Sequence, residues 1–586
     1  MKTSIAGFLL VGLLMGSAFA DQLFPKAGWH DQPNPLASPY AVPGGEMVIY
    51  AGPAPKSFNY YLDNNSFSAE LFGALYETLL GMNPLTLEFE PALAERWSIS
   101  DDQRTFTFWL NPQARWSDGQ PVTAQDIRWT FDSILNPTNL TGPNKGPLEI
   151  FEPPEVVNDR QIIFRAKQVH WRNLNSAGGF QILPRHTYAT QDFNKINFSF
   201  PVISGLYRLG PHVEGVSVVL ERRTNGWNRT ALSTRGVGNF DRLRFKFFAE
   251  QENAFEAFKK GEIDLFPVYM ARIWVNETSG DKFDRNWILK QKIKNYNPIG
   301  LQGFVLNMRR FPFDDVRIRE ALALLLNRPK MNHTLMYDQY FLHRSYFEDL
   351  YSSEHPSPME PVPFDKNRAR ELLTAAGWKA NPATGLLEKD GHPFRFHFLS
   401  REGSTDKFLA LYAEDLRDAG IELKIDTKDS AAWTRDMEEF NFDMTWVAWG
   451  SSLFKDPEPM WSTKEAARSG NNMAGFSDPA IDALIEKQKT LFDPSARHAI
   501  CREIDRQVFA QHPYVLLWNI DYTRLLYWNK FGTPPTILAK YGDERSAYWY
   551  WWYDEDSAAA LRDAQKSGKS LPAVKPTVFF DEVFKP

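Results

Sequence analysis

EPALAERWSISDDQRTFTFWLNPQARWSDGQPVTAQDIRWTF occupies residues 90–131. Within it, residues 104–110 (RTFTFWL) alternate polar and apolar side chains, which predicts a strand buried on one face. Asp118-Gly119 reads as a turn. Thr123 then stands three residues before Asp126. That is close to the capping box, which satisfies free N–H groups at a helix start, so a helix is predicted just beyond it. A half-buried strand, a turn and a capped helix in one stretch point to a sheet covered by helices.

The same alternation continues on both sides. EMVIYAG (46–52) reads as a strand. SAELFGALYETLLGM (68–82) carries Leu71, Leu75 and Leu79 at helical spacing and ends near Gly81. QENAFEAFKKGEIDLFPV (251–268) reads as a helix, a glycine stop and a strand. FDKNRARELLTAAGW (364–378) reads as a helix closed by Gly377. In LLEKDGHPFRFHFLS (386–400), Asp390-Gly391 joins two strands in a predicted hairpin. Residues 21–45, rich in Pro and Gly, read as an extended lead-in. The expectation is a mixed α/β fold with more than one set of layers.

The beginning, MKTSIAGFLLVGLLMGSAFAD, has a positive Lys2, an apolar stretch too short to span a bilayer, and Ala18-Phe19-Ala20 in the form that signal peptidase accepts. A signal peptide is expected over residues 1–20, with export to the periplasm. Cys501 is the single cysteine, which excludes an intramolecular disulfide and cysteine-based zinc sites. Without Lys2 the chain carries 65 basic and 72 acidic residues, a balance of −7. The charges are interspersed, which disfavours nucleic acid as a partner. Aromatic residues make up 14% of the chain, enough to suggest that some aromatic surface is exposed for use.

Catalytic signatures are sparse. HExxH, GxSxG, GxxxxGK[ST] and GxGxxG are all missing. His186, His392 and His397 form no metal-ligand motif, so neither a metal nor a cofactor is expected. Asp118 and Asp126 could act as the paired carboxylates of a secreted glycoside hydrolase. A turn and a helix cap account for them more simply. Tyr548 to Tyr553 (YWYWWY) is read as a strand whose two faces pack in a core, not as a stacking platform for ligand. The chain reads as a binder and not as an enzyme.

The stretch 90–131 resembles the family 5 extracellular solute-binding proteins. FEAFKKGEIDLFP (255–267) and FVLNMRRFPFDDVRIREALALLLNR (304–328) are similar to that family's second and third signatures, and ARELLTAAGW and GFSDPAIDALI extend the likeness. WVAWGSSL and WWYDEDSAAAL resemble its YejA-type branch, proteins that deliver oligopeptides and microcin C to an ABC importer. The resemblance implies a two-lobed periplasmic binding protein fold with an extra subdomain in lobe one. It implies an extended segment at 21–42, lobe one at 43–300, lobe two at 301–514, and a return to lobe one over 515–586. The implied partners are an oligopeptide or peptide-like ligand and an inner-membrane ABC permease with its ATPase, the receptor itself being a monomer. The same fold also admits a non-peptide solute such as a nickel chelate, haem, an opine or an oligosaccharide.

The resemblance also implies site residues. Trp449 matches a cleft tryptophan of the family. Trp518 and Asn519 fall near the second lobe crossing, Phe58 and Asn59 in a loop at the cleft rim, and Asn307 at the first crossing as a hinge support. Where family peptide binders place an aspartate that pairs with the ligand's amino group, this chain has Ser451 and Ser452. The next acid, Asp456, is the remaining candidate for that role.

Overall fold

The computed structural model describes residues 21–585 except 402–404 and 468–469. The expected signal peptide lies outside the described residues. Three sheets organise the chain. An eight-stranded sheet runs, edge to edge, Thr577–Phe579, Ile288–Lys294, Thr523–Trp528, Leu265–Pro267, Glu46–Tyr50, Arg242–Lys246, Ser217–Arg222 and Tyr207–Val213. A five-stranded antiparallel sheet, Gln22–Phe24, Ala94–Ile99, Thr105–Leu110, Gln161–Arg165 and Glu155–Asn158, forms the extra subdomain of this first lobe. The second lobe holds the sheet Glu422–Lys428, Arg395–Arg401, Met444–Trp449, Leu301–Leu306 and Tyr514–Leu516. The fold is α/β and two-lobed.

Local chemistry explains most elements. Thr123 and Asp126 close a full capping box at the start of the helix Ala124–Leu135, whose Ile127, Phe131 and Ile134 face the core. Gly261, at φ +83°, ends the helix Gln251–Lys260 in the left-handed conformation that glycine adopts without strain. Asp390 and Gly391 both have positive φ, which shapes the tight hairpin between Leu387–Lys389 and His392–Pro393. The helix expected over 68–82 is shorter, Ser66–Leu75, with Asn65 as its cap. Beyond Tyr76 other partners hold the chain: Glu77 N–H donates to Ser204 Oγ, and Leu80–Met82 joins a hairpin. The lead-in is more than an extended segment, since Gln22–Phe24 adds a strand beside Trp97–Ile99.

The aromatic run is not the strand that was expected. Ser546–Tyr550 is a short helix, and only Trp552–Tyr553 is extended, pairing with Phe531–Gly532. When every position is aromatic, periodicity carries no signal to separate helix from strand. The packing role is as expected: Trp551 is fully buried with Nε1 donating to Ile537 O at 2.6 Å, and Tyr548 meets Phe245 edge to face.

The chain passes between lobes twice, from Ile288–Lys294 into Leu301–Leu306 and from Tyr514–Leu516 back to Thr523–Trp528. The expected boundary at 514 falls inside a lobe-two strand, and pairing with Phe341–Leu342 carries that lobe to Asn519. Each lobe has its own core. Phe304, Phe398 and Trp518 fill one side of the lobe-two sheet, and Val305, Trp461 and Tyr514 fill the other. Separate cores let two bodies move about a pair of crossings without disturbing either interior.

Candidate functional site: the seam between the lobes

In open α/β sheets, ligands collect outside the carboxyl ends of the strands. In lobe one, Glu46–Tyr50 runs parallel to Arg242–Lys246 and Leu265–Pro267, so these strands end together. At their ends lies a cavity of about 350 Å³ lined by Tyr50, Phe67, Glu70, Tyr269, Glu544 and Tyr548. In lobe two, Arg395–Arg401 is parallel to Met444–Trp449. Their ends open on a cavity of about 710 Å³ lined by Ser400, Arg401, Trp433, Trp446 and Trp449. A third cavity of about 260 Å³ lies between the two crossings and shares Tyr269 and Glu544 with the lobe-one cavity. A fourth, about 920 Å³, separates the extra subdomain from lobe two and shares Asn471 with the lobe-two cavity. Cavities of these volumes fall in or near the range of about 300–1,000 Å³ that solute sites occupy.

The two faces differ in charge. On lobe one, burial pushes the Glu70 carboxyl up to about 7, although Arg545 and the Trp549 indole N–H favour its charged form. Burial and the neighbouring Asp543 raise Glu544 as well, and Tyr269 Oη donates to it at 2.6 Å. On lobe two the lining is largely aromatic, with Arg401 and Glu438 among it. Lys455, whose side chain is 5% exposed, donates to Ser451 Oγ and to Ser452 O, and pairs with Asp349 at 2.6 Å. Lys455 and Asp349 thus form an ion pair beside the two serines.

The lobes also touch directly. Arg172 of the extra subdomain pairs with Asp456 and comes within 3.9 Å of Glu458. Trp171 N–H donates to Lys489 O at 2.9 Å, and Arg497 lies 4.4 Å from the Trp171 ring. His170, Asp456 and Glu458 bring their ligand atoms within 4.8 Å of one another, a spacing that can hold a metal. Here Arg172, Lys464 and Lys489 already neutralise the two carboxylates, which makes the group a salt-bridge network. Burial and Arg172 push the His170 imidazole down to about 3, so it stays neutral.

The expected site residues separate into two groups. Trp449 lines the lobe-two cavity, its Nε1 donating to Tyr514 Oη at 3.3 Å. Asn519 lines the crossing cavity, and its Nδ2 donates to Gly300 O at 2.7 Å, tying one crossing to the other. Asp456 lines the large cavity, but Arg172 holds it and Glu458 N–H caps it, so its carboxylate is not free for an amino group. Three residues move from the site to the core. Trp518 packs against Phe408 and Trp446. Phe58 is buried among Phe67, Phe198 and His212, and Asn59 is fully buried, donating to Ile196 O at 2.9 Å. Asn307 is not a hinge residue either. It follows Leu301–Leu306 at the end away from the crossing and donates to Phe440 O and Phe442 O.

Sequence reasoning missed Glu70, Tyr269, Glu544 and Arg172. One signal was available: Asp543-Glu544-Arg545 ends two residues short of the aromatic run, three charges close to a segment bound for the core. The two acids of the hydrolase reading are engaged in structural contacts. Asp126 accepts from Thr123 N–H and Arg185 N–H, and Asp118 pairs with His186 at 2.8 Å.

Two α/β lobes joined by adjacent crossings, with a cavity at the strand ends of each, have the architecture of a two-lobed solute-binding protein. This chain belongs to family 5 of the bacterial extracellular solute-binding proteins: the sequence profile of that family's middle region matches residues 88–471. The probable peptide-binding protein YejA of Agrobacterium fabrum is 28% identical over 520 residues, covering 80% of this chain and 83% of that one. Two solved structures share the fold at 19% identity. The oligopeptide-binding protein AppA from Bacillus subtilis, in complex with a nonapeptide, superposes with a TM-score of 0.70 over 88% of this chain and 100% of that one. The periplasmic binding protein DppA from Helicobacter pylori, in complex with the peptide STSA, gives 0.71 over 88% and 99%.

Proposed function

We propose that this chain is the periplasmic receptor of an ABC importer, closing its lobes over an oligopeptide or peptide-like compound and delivering it to the permease. The observation that carries the reading is a cavity at the strand ends of each lobe beside a two-crossing seam, within a family of solute-binding proteins. Closure excludes water, which strengthens each hydrogen bond to the ligand, and only a solute that contacts both lobes better when they are closed shifts the equilibrium. Trp449 offers a flat apolar face to a peptide plane. The acid beside Ser451 and Ser452, Asp349, is already paired with Lys455, which fits a ligand whose amino end is blocked or held elsewhere. The likeness to the YejA-type branch supports microcin C as one cargo.

Native mass spectrometry of the purified chain tests the reading. A retained peptide-sized solute is the expected result, together with a raised melting temperature on adding peptides. Retention of haem, a metal chelate or a plain saccharide in place of any peptide overturns it.

A further inference from the structure

A hinge bends only where its backbone is free, so each crossing flexes between the last residue held by one lobe and the first held by the other. The second crossing is almost fully held. Pairing with Phe341–Leu342 keeps the chain in lobe two as far as Asn519, and Asp521 pairs with Lys294 of lobe one at 2.7 Å. The first crossing covers residues 295–300. There Tyr296 N–H donates to Lys540 O at 2.8 Å, and Asn295 Nδ2 donates to Ala539 O and Gly542 O at 2.6 and 2.7 Å. At the far end Gly300 O accepts from Asn519 Nδ2. That leaves Asn297-Pro298-Ile299 as the flexing link. Its proline fixes one φ and restricts the residue before it, so the link is short and stiff.

The lobe-one end of this link is held by the last part of the chain. Residues 569–584 run alongside 286–296. Trp287 Nε1 donates to Lys569 O at 2.9 Å, Asn286 Nδ2 to Leu571 O at 3.0 Å, and Gln291 Nε2 to Lys575 O at 2.8 Å. Thr577–Phe579 then pairs in parallel with Lys292–Lys294, and the one-turn helix Phe580–Val583 follows beside the crossing. Tyr296 Oη donates to Asp581 Oδ2 at 2.6 Å, and its ring meets Phe580 edge to face. Tyr296 is 50% exposed, so packing alone does not fix it. The bond to a carboxylate supplies the rest. Asp581 pushes the Tyr296 hydroxyl up to about 12, which keeps the donated proton in place, and Glu354 of lobe two acts in the same direction.

We propose that residues 576–584 are a hinge strap: by holding Tyr296 they fix where lobe one ends and confine bending to Asn297-Pro298-Ile299. With the strap released, Asn295 and Tyr296 join the flexing link and the lobes sample a wider range of openings. Closing on a guest must then order those residues as well, which lowers affinity about tenfold for each residue freed. The strap keeps the open and closed states distinct, whatever the solute.

The test uses the ligand-free full chain. Spin labels are placed on Asn253→Cys in the lobe-one helix Gln251–Lys260 and on Glu414→Cys in the lobe-two helix Asp406–Asp418, both exposed positions. Cys501 is buried and takes no label. Double electron–electron resonance reads the spread of interlobe distances, and hydrogen exchange reads the amides of 295–300. Tyr296→Phe keeps the ring and loses the hydroxyl. It is expected to broaden the distance distribution and to speed exchange at 295–300 about threefold to tenfold, the range for losing a half-exposed hydrogen bond to a charged group. Exchange in the lobe-two strand Met444–Trp449 stays as in the wild type. Asp581→Asn, which keeps an acceptor, falls between the two, and removing residues 576–586 gives the widest spread. An unchanged distance distribution in Tyr296→Phe overturns the strap, even where exchange is faster and whether or not the truncated chain folds. Equal acceleration in Met444–Trp449 overturns it too, since the tyrosine then serves only overall stability. No solute enters the test, so its failure leaves the receptor reading untouched.

Discussion

The two faces of the seam are built from different chemistry. Lobe one presents carboxyls, Glu70 and Glu544, set among Tyr50, Tyr269 and Tyr548. Lobe two presents Trp433, Trp446 and Trp449, with Lys455 under Ser451 and Ser452. On the proposed reading a guest held between them meets several carboxyls and tyrosines on one side and a largely aromatic surface, with Arg401 and Glu438 in it, on the other. The asymmetry teaches how such a receptor combines loose and strict recognition. Aromatic faces tolerate many side chains because their attraction is largely non-directional, whereas buried polar groups reject whatever leaves them unpaired. On the proposed reading, lobe one orients the guest and lobe two supplies capacity.

Four changes probe this contrast. The largest effect is expected from Trp518→Ala, behind the lobe-two face. Trp518 is 3% exposed and anchors the Phe408–Trp446 cluster. Its loss should cost about 3–5 kcal/mol, read by chemical denaturation; a loss under about 1 kcal/mol would mean that the aromatic face has no rigid support. Next comes the pH response of lobe one. Glu70 titrates at about 7 in the folded chain against an ordinary 4.5. Its contribution to stability is full below pH 4.5 and is lost as pH rises through 7. Thermal melts should therefore fall over that window by up to about 3 kcal/mol for this group, and Glu70→Gln should flatten that share of the curve. An unchanged slope in the variant would show that the proton lies elsewhere.

Arg172→Ala removes one of the direct ties between the extra subdomain and lobe two. Its side chain is 30% exposed, so the expected loss is only about 1–2 kcal/mol. Small-angle scattering of the ligand-free variant should show a larger radius of gyration; an identical profile would mean that the contact does not govern opening. The smallest stability change is expected for Trp449→Ala, about 1 kcal/mol, because this tryptophan lines a cavity and is only half-buried. Peptide affinity should nevertheless fall about tenfold, measured by titration calorimetry. Undiminished binding would leave lobe two without its aromatic role.

Read alone, the sequence determined what depends on neighbours along the chain. The capping box at Thr123 and Asp126, the glycine stop at Gly261, the hairpin at Asp390-Gly391 and the alternation of strands and helices were all legible, because each is set within a few residues. So was the family, since the ordered stretches that resemble it run through most of the chain. Tertiary structure alone decided which side chains face the seam. Trp449 and Trp518 each sit on a lobe-two strand, yet one lines a cavity and the other fills a core. The Ser546–Tyr550 helix likewise came from packing, not from periodicity. Glu70, Arg172 and Tyr296 meet their surroundings only after segments hundreds of residues apart are brought together. Burial and charge compensation are properties of that assembled environment, and no local pattern encodes them.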